Sequence, residues 1–329
     1  MKILFVFGNG FDIKLGLNTR YRDFYGSYLN MESPCDAVKK LKLNISSEYQ
    51  DWADLELGLG QYTEHIADIQ EGLDIYKDIL LGLQEFLSRE ENKYSYDTQE
   101  RDKLLSDLFH PENYLRWREK QIIFSHFNRA EEWDVRVLTF NYTQTLERIL
   151  GNPTLPIEVS YENEGVRKLT HIVHIHGFIG DRMVLGVNDP SQIKNKDWQS
   201  NKRFLRRYVK PQHNDTYKLD HERLSYELIS NSQVICLFGV SIGDTDKLWW
   251  GKIANRLGSS NSIRLIIFYF LDDFKPIGNY GPEYEDNVDM VKDRFLSAAG
   301  YGLNHSIREQ IYVTFQKSIF DLKVSPLSQ

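Results

Sequence analysis

The sequence predicts an α/β fold, a mainly parallel sheet flanked by helices, with a large helical insertion near its start. Three observations carry this. The apolar run Ile3 to Phe7 ends in Gly8-Asn9-Gly10 and then turns helical, as a buried parallel strand feeding a helix does. From about residue 133 onward, short apolar runs alternate with helical stretches, and parallel strands need such crossovers. Between 34 and 132 the texture differs: charged residues alternate with Leu, Ile, Tyr and Trp at spacings of three and four, with proline only at Pro34 and Pro111.

The elements follow in chain order. Trp52, Leu55, Leu59 and Tyr62, then Leu73, Tyr76, Ile79, Leu80 and Leu83, mark amphipathic helices in the insertion. Asp134 to Phe140 is the next strand, followed by Asn141 and a helical stretch to about Leu150. Pro153, Pro156 and Gly165 punctuate a hairpin or loop over 151–168. His171 to His176 reads as a strand ending at Gly177, and Met183 to Gly186 as another. Residues 190–216 are polar and charged, as in a mobile lid or a loop-helix segment. A helix near 217–231 leads to the strand Gln233 to Phe238, and Asp244 to Leu257 reads as helix. Ile263 to Leu271 is a strand, Asp272 to Asp289 a loop, and Gln310 to Thr314 a last strand. This alternation is Rossmann-like.

Composition narrows the function. The chain has 329 residues, with Lys plus Arg at 40 and Asp plus Glu at 47, so its net charge is −7. That balance disfavours nucleic acid and anionic membrane as partners. The basic run Lys202 to Arg207 reads first as a solvated helix face, although it could meet an extra phosphate. A 41% hydrophobic and 13% aromatic content suffices for a large core. Two cysteines, Cys35 and Cys236, make neither a zinc site nor a disulfide framework. The opening apolar run is too short for a signal sequence or a membrane span, so a cytoplasmic protein is expected.

In a doubly wound sheet, ligands bind beyond the carboxyl ends of the strands. Four motifs sit at such ends: Gly8 to Asp12, Phe140 to Thr143, His174 to Gly177, and Gly239 to Asp244. Together they point to one cleft. In the first, Gly8 and Gly10 permit a tight turn, and the helix start beyond them would offer N–H groups to phosphate. Asn9 and Phe11 complete this loop, and Asp12 either caps the helix or touches ligand. No Lys-Ser/Thr follows, so a P-loop is disfavoured. Asn141 either caps a helix or holds a ribose hydroxyl or a water. His176, beside Gly177, reads as the cleft histidine, His174 as core or support, and His171 as structural. Two alternating histidines invite a metal, but no further ligands complete a set. In the last motif, Gly239, Ser241 and the backbone amides suit a ribose or phosphate, and Asp244 either caps the helix or joins the binding set. The same string, Gly239-Val240-Ser241-Ile242-Gly243, matches a nucleophile elbow, but that reading depends on the single downstream histidine, His305.

In order, FGNGFD, GLNTRYRDF, DWADLE, FNYTQTLE, HIHG, GVND and FGVSIGDTD resemble the bacteriophage abortive infection AbiH family, from Phe7 to Asp246. The same order is similar to a divergent sirtuin-type NAD-binding domain, matched at Gly8 to Gly10, Gly16 to Phe24, Asn141, His176-Gly177 and Gly239 to Ser241. The sirtuin aspartate falls at Thr143 here, and the zinc cysteines are missing. The resemblance implies a single sirtuin-like domain over 1–329, its core at 1–30 and 133–329 and a helical insertion at 31–132. It also implies anti-phage defence by zinc-independent NAD hydrolysis, with NAD as substrate and no metal.

Cleaving nicotinamide from ribose builds oxocarbenium character on the sugar and releases a neutral ring. Protonation of the leaving group is then unnecessary, which suits a site short of acidic pairs. On this reading Asn141 positions water or a ribose hydroxyl, and His176, titrating near neutrality, accepts a proton. Gly8 and Gly10 hold the pyrophosphate, Asp12 meets the nicotinamide-side ribose, and Ser241 the other ribose. The alternatives are an NAD or ADP-ribose sensor, ADP-ribosyl transfer to a macromolecule, and a serine hydrolase. Homo-oligomer assembly or a phage-derived trigger would restrain a toxic activity.

Overall fold

A computed structural model describes residues 1–95, 97–127, 132–161, 165–216, 220–271, 281–315, 317–323 and 325–326, with backbone alone for 124, 126, 127, 216, 244, 325 and 326. β1 (Lys2–Phe7) is buried after its first residue. Its side chains alternate between two cores, as strand geometry demands: Ile3, Phe5 and Phe7 face one, Leu4 and Val6 the other.

Seven helices follow: α1 (Gly10–Lys14), α2 (Tyr21–Tyr28), α3 (Asp36–Ser47), α4 (Leu55–Tyr62), α5 (Ile69–Glu91), α6 (Thr98–Phe109) and α7 (Trp117–Phe127). A two-residue strand β2 (Tyr94–Ser95) precedes α6. The chain then runs through β3 (Glu132–Thr139), α8 (Thr145–Ile149), β4 (Ile157–Tyr161) and β5 (Gly165–His174). Beyond these lie α9 (Lys202–Tyr208), α10 (Lys210–Thr216), α11 (His221–Ser230), β6 (Val234–Phe238) and α12 (Lys247–Gly258). β7 (Arg264–Phe268), α13 (Pro282–Ala298), β8 (Ile311–Thr314) and β9 (Ser325–Pro326) complete the described elements. β4, β5, β3, β1, β6, β7 and β8 form a seven-stranded sheet in that order. All pairs are parallel except β4 with β5, while β2 pairs with β9 separately.

The protein is therefore α/β, with a mostly parallel sheet flanked by helices. The helical stretch between β1 and β3 has its own core, in which Phe24, Trp52, Leu55 and Ile79 pack with Phe204 and Tyr208 of α9. Among the described residues, no helix is long and apolar enough to cross a membrane.

Several expectations need correction. The strand read as His171 to His176 ends at His174, because the chain turns at Gly177, whose φ is +72°. Met183 to Gly186 is not a strand. It is stitched elsewhere: the Val184 N–H donates to the His176 carbonyl at 2.8 Å and Tyr76 Oη to the Leu185 carbonyl at 3.1 Å. Of the two readings of residues 190–216, mobile lid or loop-helix segment, the structure has the second, with α9 and α10 packed on the helical stretch. Phe204 and Tyr208 stack with centroids 4.1 Å apart, and Tyr208 Oη donates to the Gly72 carbonyl at 2.8 Å. Within Lys202 to Arg207, Lys202, Arg203 and Arg206 are exposed while Phe204 and Leu205 are buried, so only one face is solvated. Of the loop read as Asp272 to Asp289, 272–280 lie outside the described residues and 282–289 are helical. There Pro282 opens α13, with Glu283 and Glu285 complementing its dipole.

Candidate active site

The carboxyl ends of β1, β3 and β6, and the turn just past β5, meet at one cavity of about 560 Å³. Gly8 and Gly10 stand at its base, but their N–H groups are already committed: Gly8 donates to the Phe238 carbonyl at 3.0 Å and Gly10 to the Gly239 carbonyl at 2.8 Å. A Cβ on Gly10 would lie 2.4 Å from Gly239 Cα. These glycines thus let two strand-end loops nest together, and the expected pyrophosphate cradle is not formed by their amides. Asn9 ties the loop down, donating to the Thr19 carbonyl at 2.9 Å and accepting from its hydroxyl at 2.5 Å.

Two other expected residues stand away from the cavity lining. Phe11 is core, its ring 4.8 Å from that of Phe7. Gly177 serves the turn, where a Cβ would meet the Arg182 carbonyl oxygen at 1.3 Å. The Asp244 side chain lies outside the described residues. Gly239 and Ser241 do line the cavity, Ser241 from an exposed position.

Asn141 and His176 each bring uncommitted side-chain atoms to the cavity. Asn141 is 8% exposed and caps no helix, since α8 starts at Thr145. Its N–H donates to Thr139 Oγ1 at 3.0 Å, while its Oδ1 is buried without a hydrogen-bond partner among the described residues. His176 is 5% exposed, and neither ring nitrogen has such a partner. Burial, and then the charge of Lys210, hold its pKa well below the ordinary value. The ring is neutral at pH 7, which corrects the expected titration near neutrality. Buried polar atoms without partners are rare in folded proteins and cluster where ligands bind.

Asp12 neither caps α1 nor lies open. It is 1% exposed within that helix, with Oδ2 accepting from Thr143 Oγ1 at 2.5 Å and Oδ1 without a partner among the described residues. Burial pushes its carboxyl up to about 6, opposed by the Thr143 and Thr145 hydroxyls. His174 supports the site from behind. Its Nδ1 is 2.9 Å from the Asn141 carbonyl oxygen and its Nε2 2.8 Å from Glu147 Oε1. Burial alone would lower its pKa, but these two acceptors raise it above the ordinary value. His171 is exposed at the surface.

The opposite wall went unread in the sequence. Asp54 caps α4, accepting from the N–H groups of Glu56 at 2.9 Å and Leu57 at 3.2 Å, and also accepts from the Thr245 hydroxyl. Buried Glu56 pairs with buried Lys210 at 2.6 Å. Burial pushes the Glu56 carboxyl up to about 7, with Lys210 opposing. Asp246 Oδ1 is buried without a partner among the described residues, and burial raises that carboxyl as well. With Asp12, Asp54, Glu56 and Asp246 all lining the cavity, the site is rich in carboxylates, not short of them. DWADLE and GDTD contained three of these residues, but Glu56 and Lys210 are 154 positions apart and nothing local announced their pairing.

The nucleophile-elbow alternative is not assembled. His305 Nδ1 accepts from the Ile307 N–H at 3.3 Å and its ring packs on Tyr301, with no hydrogen bond to Ser241 among the described residues. Nor does any group of three His, Cys, Asp or Glu among those residues form a metal site.

No curated protein matches the chain. The family model for bacteriophage abortive infection AbiH matches residues 4–269, and the chain belongs to that family.

Proposed function

From membership of a phage abortive infection family, we propose that this chain acts in that response by hydrolysing NAD to ADP-ribose and nicotinamide without zinc. The observation that carries the reading is that Asn141 Oδ1 and the His176 ring nitrogens, all buried and without a partner among the described residues, line one cavity. Its volume, about 560 Å³, is within the roughly 300–1,000 Å³ of small-molecule sites. In this reading the fold is a single Rossmann-like, sirtuin-like domain over 1–329, with 31–132 inserted, working in the cytoplasm. Assembly of copies or a phage-derived trigger restrains it.

The chemistry follows from the groups present. The bond between ribose C1′ and the ring nitrogen breaks, its electron pair leaving with neutral nicotinamide. Water adds to C1′ and gives up its proton. The Asn141 carboxamide orients that water or a ribose hydroxyl, and the neutral imidazole of His176 accepts the proton. Asp12, beside the loop after β3, lies toward the positive charge developing on the sugar. The pyrophosphate is directed to the rim, where Arg294 donates to Tyr269 Oη at 3.0 Å, instead of to the committed amides of Gly8 and Gly10.

The test is nicotinamide release from NAD by the purified protein, with Asn141→Ala and His176→Ala alongside. Loss of turnover in both folded variants supports the hydrolase and its residues together. Turnover surviving both removes the residue assignment. Tight NAD or ADP-ribose binding without release, unchanged in phage-infected cells, makes the protein a sensor. Label from NAD retained on protein or nucleic acid makes it a transferase.

A further inference from the structure

The cavity carboxylates are not spread evenly. Asp54 and Glu56 come from the start of α4 and Asp246 from the turn before α12, and they gather around Lys210. His176 lines the same cavity, 5% exposed. Glu56 and Lys210 neutralise each other, and Asp54 is engaged by two N–H groups and the Thr245 hydroxyl. Asp246 alone of the three keeps a buried oxygen without a partner among the described residues. In the same lining His176 keeps both ring nitrogens without a partner among the described residues, and burial disfavours its charged form.

We propose that this end of the cavity selects a cationic ring, the pyridinium of oxidised NAD, with Asp246 as the specificity-determining residue. The inference rests on the NAD reading above and names which oxidation state the site takes. Oxidised NAD carries its positive charge on the ring, whereas the dihydropyridine of NADH is uncharged. An unpartnered carboxylate in a half-closed cavity discriminates between them by charge, because water screens it poorly there. Cleavage then removes the attraction, since nicotinamide leaves uncharged and is held weakly.

The test measures equilibrium binding to the full chain of the carbocyclic analogue of oxidised NAD, which is not hydrolysed, and of NADH and ADP-ribose. 1-Methylnicotinamide, a cation, and neutral nicotinamide serve as ring probes. The expected result is that the carbocyclic analogue binds about tenfold more tightly than NADH, or about 1.4 kcal/mol. Asp246→Asn abolishes that preference with ADP-ribose binding unchanged, and Asp246→Glu restores part of it. Equal binding of the two dinucleotides, or a preference indifferent to Asp246→Asn, overturns the inference and leaves the NAD reading intact. Preference for 1-methylnicotinamide that depends on Asp246, with no dinucleotide bound, upholds the cation-selective end and overturns the NAD reading. No binding of any probe overturns both.

Discussion

The two walls of the cavity differ in how their polar groups are engaged. On the sheet edge, Asn141 Oδ1, both nitrogens of His176 and Asp12 Oδ1 have no hydrogen-bond partner among the described residues. Across from them, Glu56 and Lys210 are paired and Asp54 accepts three hydrogen bonds. Burying a polar atom without a partner costs about 1–3 kcal/mol, whereas a paired one costs far less. The sheet edge therefore carries groups that weaken the apo protein and are ready for a ligand. The helical wall carries mostly engaged groups that hold α4 against α10, with Asp246 Oδ1 as its one unpartnered carboxylate oxygen among the described residues. Strand ends in a seven-stranded sheet are rigid enough to keep such groups in place.

The largest expected effect tests whether chemistry belongs to the sheet edge. Asn141→Ala and His176→Ala should each lower nicotinamide release by about 10²–10³-fold with little change in thermal midpoint. An equal loss from variants of the helical wall would break the division. On that wall, Lys210→Met leaves Glu56 buried without its cation, and urea unfolding at pH 8 should show a loss of about 3 kcal/mol. The loss shrinks at pH 5.5, where Glu56 takes up a proton, and Lys210→Met combined with Glu56→Gln should recover most of it.

Asp12 supplies a sharper contrast within the sheet edge. Its folded pKa, about 6, lies above the ordinary 3.8, so the folded state holds the proton more tightly than the unfolded state. Its contribution to stability is therefore greatest below about pH 4, falls as pH rises toward 6, and is constant above. Asp12→Asn should stabilise the protein by up to about 3 kcal/mol at pH 8 and hardly at all at pH 4. Unfolding at the two pH values checks this, and a variant no more stable at pH 8 would show that the buried carboxylate is well compensated. The smallest effect is expected at Ser241, exposed and joined to no histidine by a hydrogen bond among the described residues. Ser241→Ala should change turnover by less than about twofold. A loss on the scale of Asn141→Ala would restore the nucleophile reading.

How much of this was legible depends on how local each signal is. β1, β3, β6, β7 and β8 were readable because a strand buried on both faces is a short apolar run, and turn residues bound it. Met183 to Gly186 has the same apolar look, but its hydrogen bonds go to the His176 turn and to Tyr76, so it joins no sheet. The 190–216 stretch left lid and loop-helix segment both open because its charges dominate its composition. The fewer residues that matter, Phe204, Leu205 and Tyr208, are buried against a surface that exists only once α5 has formed.

The α/β class, the edge of the sheet where a cavity opens, and the presence there of Asn141, His176 and Asp12 were all readable before folding. These follow from short-range patterns: apolar runs, glycine turns and the polar residues at strand ends. That Gly8 and Gly10 serve loop packing, that Phe11 is core, and that burial depresses the His176 pKa emerge only from the folded packing. It alone brought Asp54 and Glu56 to Lys210 and Asp246. A pKa or an ion pair depends on burial and on distances between remote segments, and neither quantity exists until the chain has folded.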